Sequence, residues 1–412
     1  SMSGSVWPEK PVPRRVRKMT SMSRKRLKHC IIGWLAGTAL VLAGPSLQAA
    51  EASGKLDISA SAAVLMDQQT GQVLWAKNPN WQRPIASLTK IMTAVLVLER
   101  CPLDEPAAVT REAARTPGSS MYLRGGTSYP VQDLLWGLLL ASGNDAAEAL
   151  AQHVAGSTEA FAAFMNRKAA LLGARSSHFT NPHGLPDDNH YSTAYDLALI
   201  TRYAMSIPQF AAIVASQRAV ISEPAGSEPG RESSRPIYNK NRLLWQYEGA
   251  NGVKTGYTTA AGRCLAASGT RHGRQVIAVV LDAPKMWEDA AALLTYGLEE
   301  FENLRVVEKG QSVGTIGVAS GLNDIIPAVS AQDVWVTITK SQRDAVEVDY
   351  IIYDGINAPV AKWAPVGKLF VKVEDNVLAE VPLLAGEEAT VRGLGGLVRH
   401  FSRRLQRLLL AH

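Results

Sequence analysis

Cysteine is scarce in this sequence, and the scarcity excludes two classes of protein. Only three cysteines occur in 412 residues, too few for a disulfide-stapled scaffold or a cysteine-rich zinc module. Charged residues make up 19% of the chain and hydrophobic residues 46%, which is an ordinary globular composition and excludes wholesale disorder. The length favours two or three domains.

Acidic residues are nearly absent from both ends of the chain. Residues 1–50 contain nine Lys or Arg residues and one acid, and residues 392–412 contain five arginines and no acid. The formal net charge of +6 therefore comes from the ends, because the body between them is net acidic. This distribution argues against nucleic-acid binding and favours membrane addressing at the two ends.

The N-terminal end has the order of a secretory signal. A basic cluster precedes the apolar residues 31–43, and an alanine pair follows at 49–50. The apolar run is shorter than the ~20 residues that a membrane-spanning helix needs. We therefore expect residues 1–50 to be an N-terminal extension and a cleaved signal peptide, with an uncleaved anchor as the alternative. Export leaves Cys101 and Cys264, either paired or as two free thiols.

The C-terminal end has the pattern of an amphipathic helix. Within residues 389–412, apolar residues recur at three- and four-residue steps from Leu394 to Leu409, with arginines between them. Internal arginines argue against a spanning helix, whereas a cationic amphipathic helix can lie in the headgroup plane. We expect this segment to anchor the protein to a membrane surface. A helix docked on its own protein or on a partner is the alternative.

The body of the chain changes character near residue 304. Residues 51–304 contain predicted strands, then several helices, then strands and a last helix, which favours an α+β or three-layer domain. Residues 305–388 alternate apolar and polar residues at period two, which predicts a small antiparallel β domain. Residues 222–234, rich in Gly, Pro and Ser, predict an exposed loop. The helices are predicted at 87–99, 130–142, 146–154, 158–172 and 287–301.

Ser87 and Lys90 form the only Ser-x-x-Lys motif in the chain. Ser87 opens a predicted helix, and residues i and i+3 share one helix face. The first turn also offers unpaired N–H groups and a positive dipole end, which favour a developing oxyanion. A neighbouring lysine can take the serine proton if burial or another cation destabilises its ammonium form. Taken alone, the motif fits a helix N-cap with a solvent-facing lysine better.

Two further triplets complete a three-part pattern. Ser142-Gly-Asn144 lies at a break between two predicted helices, and Lys254-Thr-Gly256 enters a predicted strand. Each triplet is common by chance. All three motifs in this order, in helix, loop and strand contexts, match the S-x-x-K, S-x-N and K-T-G constellation of the penicillin-recognising serine enzymes.

With these motifs, residues 55–390 resemble the low-molecular-mass penicillin-binding proteins of the serine-type D-alanyl-D-alanine carboxypeptidase family. The resemblance implies an α+β, penicillin-binding-protein/serine β-lactamase-like transpeptidase fold, followed by a small all-β domain and a C-terminal amphipathic helix. It implies catalytic roles for Ser87, Lys90 and Ser142, and substrate-binding roles for Asn144, Lys254, Thr255, Gly256 and Tyr257.

The resemblance implies the following chemistry. Ser87 attacks the carbonyl between two D-alanines of a peptidoglycan stem pentapeptide, Lys90 takes the proton, and Ser142 relays it to the leaving D-alanine. The remaining residues hold the substrate amide, its terminal carboxylate and the oxyanion. β-Lactams acylate the same serine, and no cofactor is implied. The implied location is the periplasmic face of the bacterial inner membrane. Several relatives have histidine where this chain has Tyr257, which leaves any side-chain role at that position in doubt.

Other readings of these motifs stay open. A secreted serine β-lactamase shares them, although class A enzymes add a glutamate for deacylation and residues 173–195 contain none. A D,D-endopeptidase and a penicillin-binding sensor or scaffold without turnover are further alternatives. His178, His183 and His190 match no compact metal-ligand spacing, so no metal site is predicted.

Overall fold

The computed structural model describes residues 16–18, 56–223 and 233–393. The chain divides into two compact units. The larger unit comprises the described residues up to Glu300. The second, which we call the β unit, comprises the described residues from Phe301 onward together with a short strand, β1 (Val16–Lys18). The rest of the predicted signal peptide and the predicted amphipathic helix beyond residue 393 lie outside the described residues.

An antiparallel five-stranded sheet organises the larger unit. Its strands are β2 (Ala62–Asp67), β3 (Val73–Lys77), β8 (Ala250–Thr258), β9 (Gly262–Arg271) and β10 (Arg274–Leu281), in the order β3-β2-β10-β9-β8. Two strand pairs, β4 (Pro106–Val109) with β5 (Thr127–Pro130) and β6 (Arg218–Glu223) with β7 (Ser233–Tyr238), lie outside this sheet. Strand β8 is therefore an edge strand of the main sheet.

Eight helices accompany these strands in the described residues of the larger unit. They are α1 (Thr89–Leu98), α2 (Val131–Trp136), α3 (Asn144–Ala155), α4 (Thr158–Leu171), α5 (Ala194–Met205), α6 (Pro208–Ala215), α7 (Leu243–Gln246) and α8 (Met286–Glu300). Every residue of α1 except Leu98 is buried, as expected for a core helix whose residues are mostly apolar. Helix α1 packs against α3, α4, α5 and α6 and so forms the centre of the helical layer.

Strand β2 shows why the sheet lies between helical layers. All of its residues are buried, and successive side chains of a strand point to opposite faces. Val64 and Met66 belong to the large core that includes α1, whereas Leu65 packs on Gly297 of α8. Helices therefore cover both faces of the sheet. The predicted α+β fold class is confirmed, and the unit has three layers.

Several local predictions were wrong. The predicted helix at 130–142 ends as α2 at Trp136 and continues as a π-helical turn, Gly137–Ala141. The predicted loop at 222–234 includes the ends of β6 and β7. Helices α5 and α6 occupy a stretch in which no element was predicted. Of the two alternatives for the cysteines, the structure has the free thiols: Cys101 and Cys264 are unpaired.

The β unit contains a six-stranded sheet and a separate strand pair. Its further strands are β11 (Phe301–Val307), β12 (Ser312–Gly317), β13 (Ile325–Ser330), β14 (Val334–Thr339), β15 (Val346–Ile352), β16 (Pro365–Val373) and β17 (Asn376–Ala385). The sheet order is β1-β15-β16-β17-β13-β12, and β11 pairs with β14. All of these pairs are antiparallel except β1 with β15. The unit has its own apolar core, and the predicted all-β domain is confirmed.

No single helix in the described ranges has both the length and the apolar character needed to cross a membrane. One bent pair, α5 with α6, meets the length and composition criteria only when its two helices are taken together across a 104° bend.

Candidate active site

Ser87 and Lys90 meet at the start of α1. Ser87 lies in a turn of 3-10 helix, Ala86–Leu88, directly before the first residue of α1. Its side chain is partly exposed, whereas Lys90 is fully buried. The Lys90 Nζ lies 3.0 Å from the Ser87 Oγ. The spacing of three residues therefore places an amine beside an accessible hydroxyl, as the motif predicts.

The Lys90 ammonium group has three hydrogen-bond partners, which fix its position. Besides the Ser87 hydroxyl, its Nζ donates to the Asn144 Oδ1 at 2.6 Å and to the His183 carbonyl at 2.8 Å. Three donors meet three acceptors, so the buried ammonium is fully satisfied. The geometry joins the first and second motifs through one side chain.

Burial and neighbouring cations destabilise the charged form of Lys90. Burial is the largest cause that lowers the pKa of Lys90 well below its usual value, and the charges of Lys254 and Lys240 lower it further, while Asp145 acts in the opposite direction. Burial and then Lys240 lower the pKa of Lys254 to about 7. An amine with a lowered pKa can exist in its neutral form and accept a proton near neutral pH.

The second motif forms the junction between the π-helical turn and α3. Ser142 has left-handed backbone angles, φ 64° and ψ 34°, and Asn144 is the first residue of α3. The Asn144 Nδ2 donates to the Pro117 carbonyl at 2.6 Å, which turns its Oδ1 toward Lys90. Among the hydrogen bonds of the described residues, none joins the Ser142 hydroxyl to either lysine. The structure thus brings Asn144 into contact with Lys90 and leaves the Ser142 hydroxyl without such a contact.

Asp145 fixes a neighbouring loop. Its carboxylate accepts hydrogen bonds from the backbone N–H groups of Met121 and Leu123 and from the Ser120 hydroxyl. Asp145 also lies in the first turn of α3, where a carboxylate interacts favourably with the helix dipole. The loop in turn supplies the Ser119 carbonyl that accepts from the Asn144 N–H at 2.7 Å.

The third motif lies on the edge strand β8. Lys254 is buried and donates to the carbonyl of the adjacent Thr255 at 2.9 Å. Gly256 runs against the Ser87 backbone, because a Cβ at this position would lie 3.0 Å from the Ser87 nitrogen. Tyr257 follows with a side chain that is 67% exposed. An edge strand leaves backbone groups open to a bound peptide, and this one passes directly beside Ser87.

His190 supports the turn that carries Ser87. The Thr180 N–H donates to the His190 Nδ1, which leaves the Nε2 to donate to the Thr89 Oγ1 at 2.8 Å. Thr89 then donates to the Ala86 carbonyl at 2.9 Å. Burial lowers the pKa of His190 to about 4, so the ring is neutral at pH 7. This chain of hydrogen bonds holds Ala86, whose φ is +47°.

Gly184 belongs to the same support. Its φ is +85°, and a Cβ there would lie 1.9 Å from the Ala86 carbonyl oxygen. The loop can therefore approach the turn only with glycine at this position. The adjacent His183 is buried, and burial followed by the Lys90 charge lowers its pKa to about 3.

A cavity of about 430 Å³ opens beside this turn. Its lining residues include Arg83, Pro84, Asp187, Asp188 and His190, and Ser87 is not among them. The cavity therefore flanks the reactive hydroxyl and does not enclose it.

Sequence reasoning missed Lys240 as a residue of the site. Lys240 is exposed, its Nζ lies 3.3 Å from the Ser119 Oγ, and its charge acts on Lys90 and Lys254. It belongs to none of the three motifs, and the spacing of the sequence carried no signal for it. A third cation at the site appears only when the chain is folded.

Two family models match the chain. One, described as D-alanyl-D-alanine carboxypeptidase, matches residues 48–285. The other, described as the C-terminal domain of penicillin-binding protein 5, matches residues 301–390. The two matches cover the two structural units separately, and the first covers more than half of the chain.

Individual proteins agree with these models. The D-alanyl-D-alanine carboxypeptidase DacF of Bacillus subtilis is 32% identical over 89% of this chain and 96% of its own length. The D-alanyl-D-alanine carboxypeptidase DacD of Salmonella typhimurium is 34% identical over 84% of this chain and 89% of its own length. Penicillin binding protein 5 from Haemophilus influenzae superposes with a TM-score of 0.72 at 29% identity, over 82% of this chain and 99% of that one. The chain therefore belongs to the D-alanyl-D-alanine carboxypeptidase family of serine peptidases.

Proposed function

We propose that this protein removes the terminal D-alanine from peptidoglycan stem pentapeptides through an acyl-enzyme on Ser87. The observation that carries the proposal is the 3.0 Å approach of the fully buried Lys90 amine to the Ser87 hydroxyl. In its neutral form, Lys90 takes the proton as the Ser87 Oγ bonds to the carbonyl carbon. Collapse of the tetrahedral intermediate breaks the C–N bond, and the departing amine receives a proton by way of Ser142. Water then hydrolyses the ester and releases the shortened peptide.

The oxyanion of the intermediate is assigned to two backbone donors, the N–H groups of Ser87 and Tyr257. The close passage of Gly256 beside the Ser87 nitrogen supports this pairing, because a side chain at Gly256 would crowd the donor. Loss of one such donor raises a reaction barrier by about 3 kcal/mol. A backbone role also explains how tyrosine can stand where several relatives have histidine.

The free carboxylate of the substrate is assigned to the third motif. Thr255 lies on the edge strand, and Lys254 and Lys240 give this end of the site positive charge. An anionic chain end is attracted to such a group of cations. Asn144 is assigned to the substrate amide, because its side chain is held between the Pro117 carbonyl and Lys90. A carboxypeptidase needs both contacts, one for each side of the scissile bond.

An assay of released D-alanine tests this function. The purified chain should release free D-alanine from a pentapeptide that ends in D-Ala-D-Ala, with little turnover of a chromogenic cephalosporin. Rapid cephalosporin hydrolysis without D-alanine release would identify a β-lactamase instead. Acylation by penicillin without turnover of either compound would identify a sensor, and cleavage of cross-linked dimers in preference to pentapeptide would identify an endopeptidase.

We also propose that the C-terminal segment, residues 389–412, attaches the enzyme to the periplasmic face of the inner membrane. The support is the sequence pattern of apolar residues interleaved with arginines. The family acts in the bacterial envelope, which agrees with export to that compartment. Each arginine near an anionic surface contributes about 1 kcal/mol of attraction.

Deletion of residues 393–412 should release the protein from membranes. The truncated chain is expected in the supernatant after sedimentation, with D-alanine release from soluble pentapeptide unchanged. A companion variant that replaces Arg399, Arg403, Arg404 and Arg407 with glutamine should bind vesicles of anionic lipid less tightly. Sedimentation of the truncated chain with the membrane fraction would contradict the proposal.

A further inference from the structure

A thiol, a carboxylate and an imidazole meet on the larger unit outside the active site. The Cys101 Sγ, a carboxylate oxygen of Glu105 and a ring nitrogen of His153 all lie within 4.8 Å of one another. Cys101 follows the end of α1, Glu105 lies in the loop before β4, and His153 lies in the last turn of α3. Cys101 and His153 are partly buried, and the Glu105 side chain is 42% exposed.

The ligand types and their spacing suit a zinc ion. Zn²⁺ binds Cys, His and carboxylate ligands in a tetrahedron, with bonds of about 2.0–2.3 Å. Two ligands of such a tetrahedron stand roughly 3.4 Å apart for nitrogen and oxygen at these bond lengths. The His153 Nε2 and the Glu105 Oε1 are 3.6 Å apart. That distance is long for a hydrogen bond. It is close to the separation expected between two ligand atoms of a tetrahedral Zn²⁺ site.

The position of the cluster in the fold favours a cation. Cys101 and His153 stand at the C-terminal ends of two helices, α1 and α3, where the helix dipoles are negative. Arg100 is the positive charge that acts on Cys101, and a positive charge would repel a bound cation. Its guanidinium packs over the Phe164 ring at 5.2 Å and lies 3.5 Å from the Glu99 carboxylate. The cation is thus engaged by its own neighbours and does not occupy the cluster.

We propose that Cys101, Glu105 and His153 form a binding site for Zn²⁺ with three protein ligands and a fourth position open to water. Metal binding releases the Cys101 thiol proton to solvent and changes no oxidation state. The same two helices carry Lys90 and Asn144 in their first turns. Zn²⁺ at this site therefore joins the far ends of the two helices that position the lysine and the amide of the active site.

Cobalt binding tests the site, because thiolate bound to Co²⁺ gives a charge-transfer absorption band in the near ultraviolet. The full chain with Cys30→Ser retains only Cys101 and Cys264 as thiols. It should bind one Co²⁺ with this band, and Zn²⁺ should displace the Co²⁺ and raise the melting temperature. In the same background, Cys101→Ser should abolish the band and weaken Zn²⁺ binding by about tenfold or more. His153→Gln should also weaken binding.

Cys264→Ser is the matched control, because Cys264 is a free thiol buried in β9. It should leave the Co²⁺ band and the Zn²⁺ affinity unchanged. Labelling by a fluorescent penicillin checks that each variant is folded. Absence of the band at saturating Co²⁺, or its persistence in Cys101→Ser, would overturn the proposal. An equal thermal shift by Zn²⁺ in the parent and in folded Cys101→Ser would also overturn it.

Discussion

Ser87→Ala is expected to abolish covalent labelling by penicillin and to lower D-alanine release by about 10⁶-fold. The substitution removes the oxygen that forms the ester and leaves the rest of the site in place. The Ser87 hydroxyl accepts one of three hydrogen bonds from Lys90, so the amine keeps two acceptors. The variant should therefore fold and still bind substrate. Intact-protein mass spectrometry after incubation with penicillin measures the loss of the adduct directly.

Ser206→Ala provides the control for this experiment. Ser206 is an exposed serine directly after α5, and its replacement should leave the penicillin adduct and the D-alanine release unchanged. An adduct of normal stoichiometry in folded Ser87→Ala would remove Ser87 from the nucleophile role. Loss of the adduct in both variants would indicate a general effect on the protein and would contradict the assignment as well.

The predictable parts of the site follow from local spacing. A separation of three residues at a helix start is enough to bring Ser87 to Lys90, and the structure has this contact at 3.0 Å. The predominance of apolar residues in α1 agrees with its place in the core. Alternation of apolar and polar residues at period two predicts the β unit from local sequence as well. Successive side chains of a strand point to opposite faces, so position along the strand decides which face each side chain is on.

The parts that the sequence does not predict depend on contacts between distant segments. Lys240 reaches the site from the segment after β7, and its effect on Lys90 and Lys254 exists only in the folded protein. The Lys90 ammonium group is held by the carbonyl of His183, and a backbone carbonyl carries no sequence signature. The sequence predicts no metal site at His178, His183 and His190, but it does not show that the His190 ring and Gly184 fix the turn at Ala86.

The cluster of Cys101, Glu105 and His153 is a second case of this kind. Cys101 and His153 are far apart in the sequence and come together because α1 and α3 pack against each other. Cys101 and Glu105 lie in the segment after α1 and His153 lies in α3, so the three residues form no compact ligand motif in the sequence.

Lys90→Ala is expected to fold and to acylate about 10²–10⁴-fold more slowly than the wild type, which is the usual loss when a general base is removed. The Lys90 amine is fully buried beside the nucleophile, and burial and then Lys254 lower its pKa. A base accepts a proton only when it is neutral. The wild-type acylation rate should therefore rise with pH through the pKa of Lys90, and Lys90→Ala should lose this rise. Stopped-flow acylation by a chromogenic cephalosporin across a pH series measures both effects.

Lys90→Arg separates proton transfer from charge. The arginine side chain keeps a cation near Ser87 and stays protonated throughout the accessible pH range, so it supplies the charge without a base. Lys285→Ala, at an exposed lysine of the same unit, controls for the loss of a positive charge and should acylate at the wild-type rate. If Lys90 is the base, both Lys90 variants are slow and neither shows the rise with pH. A wild-type rate in Lys90→Arg would instead assign Lys90 an electrostatic role, and a wild-type rate in Lys90→Ala would remove it from the reaction.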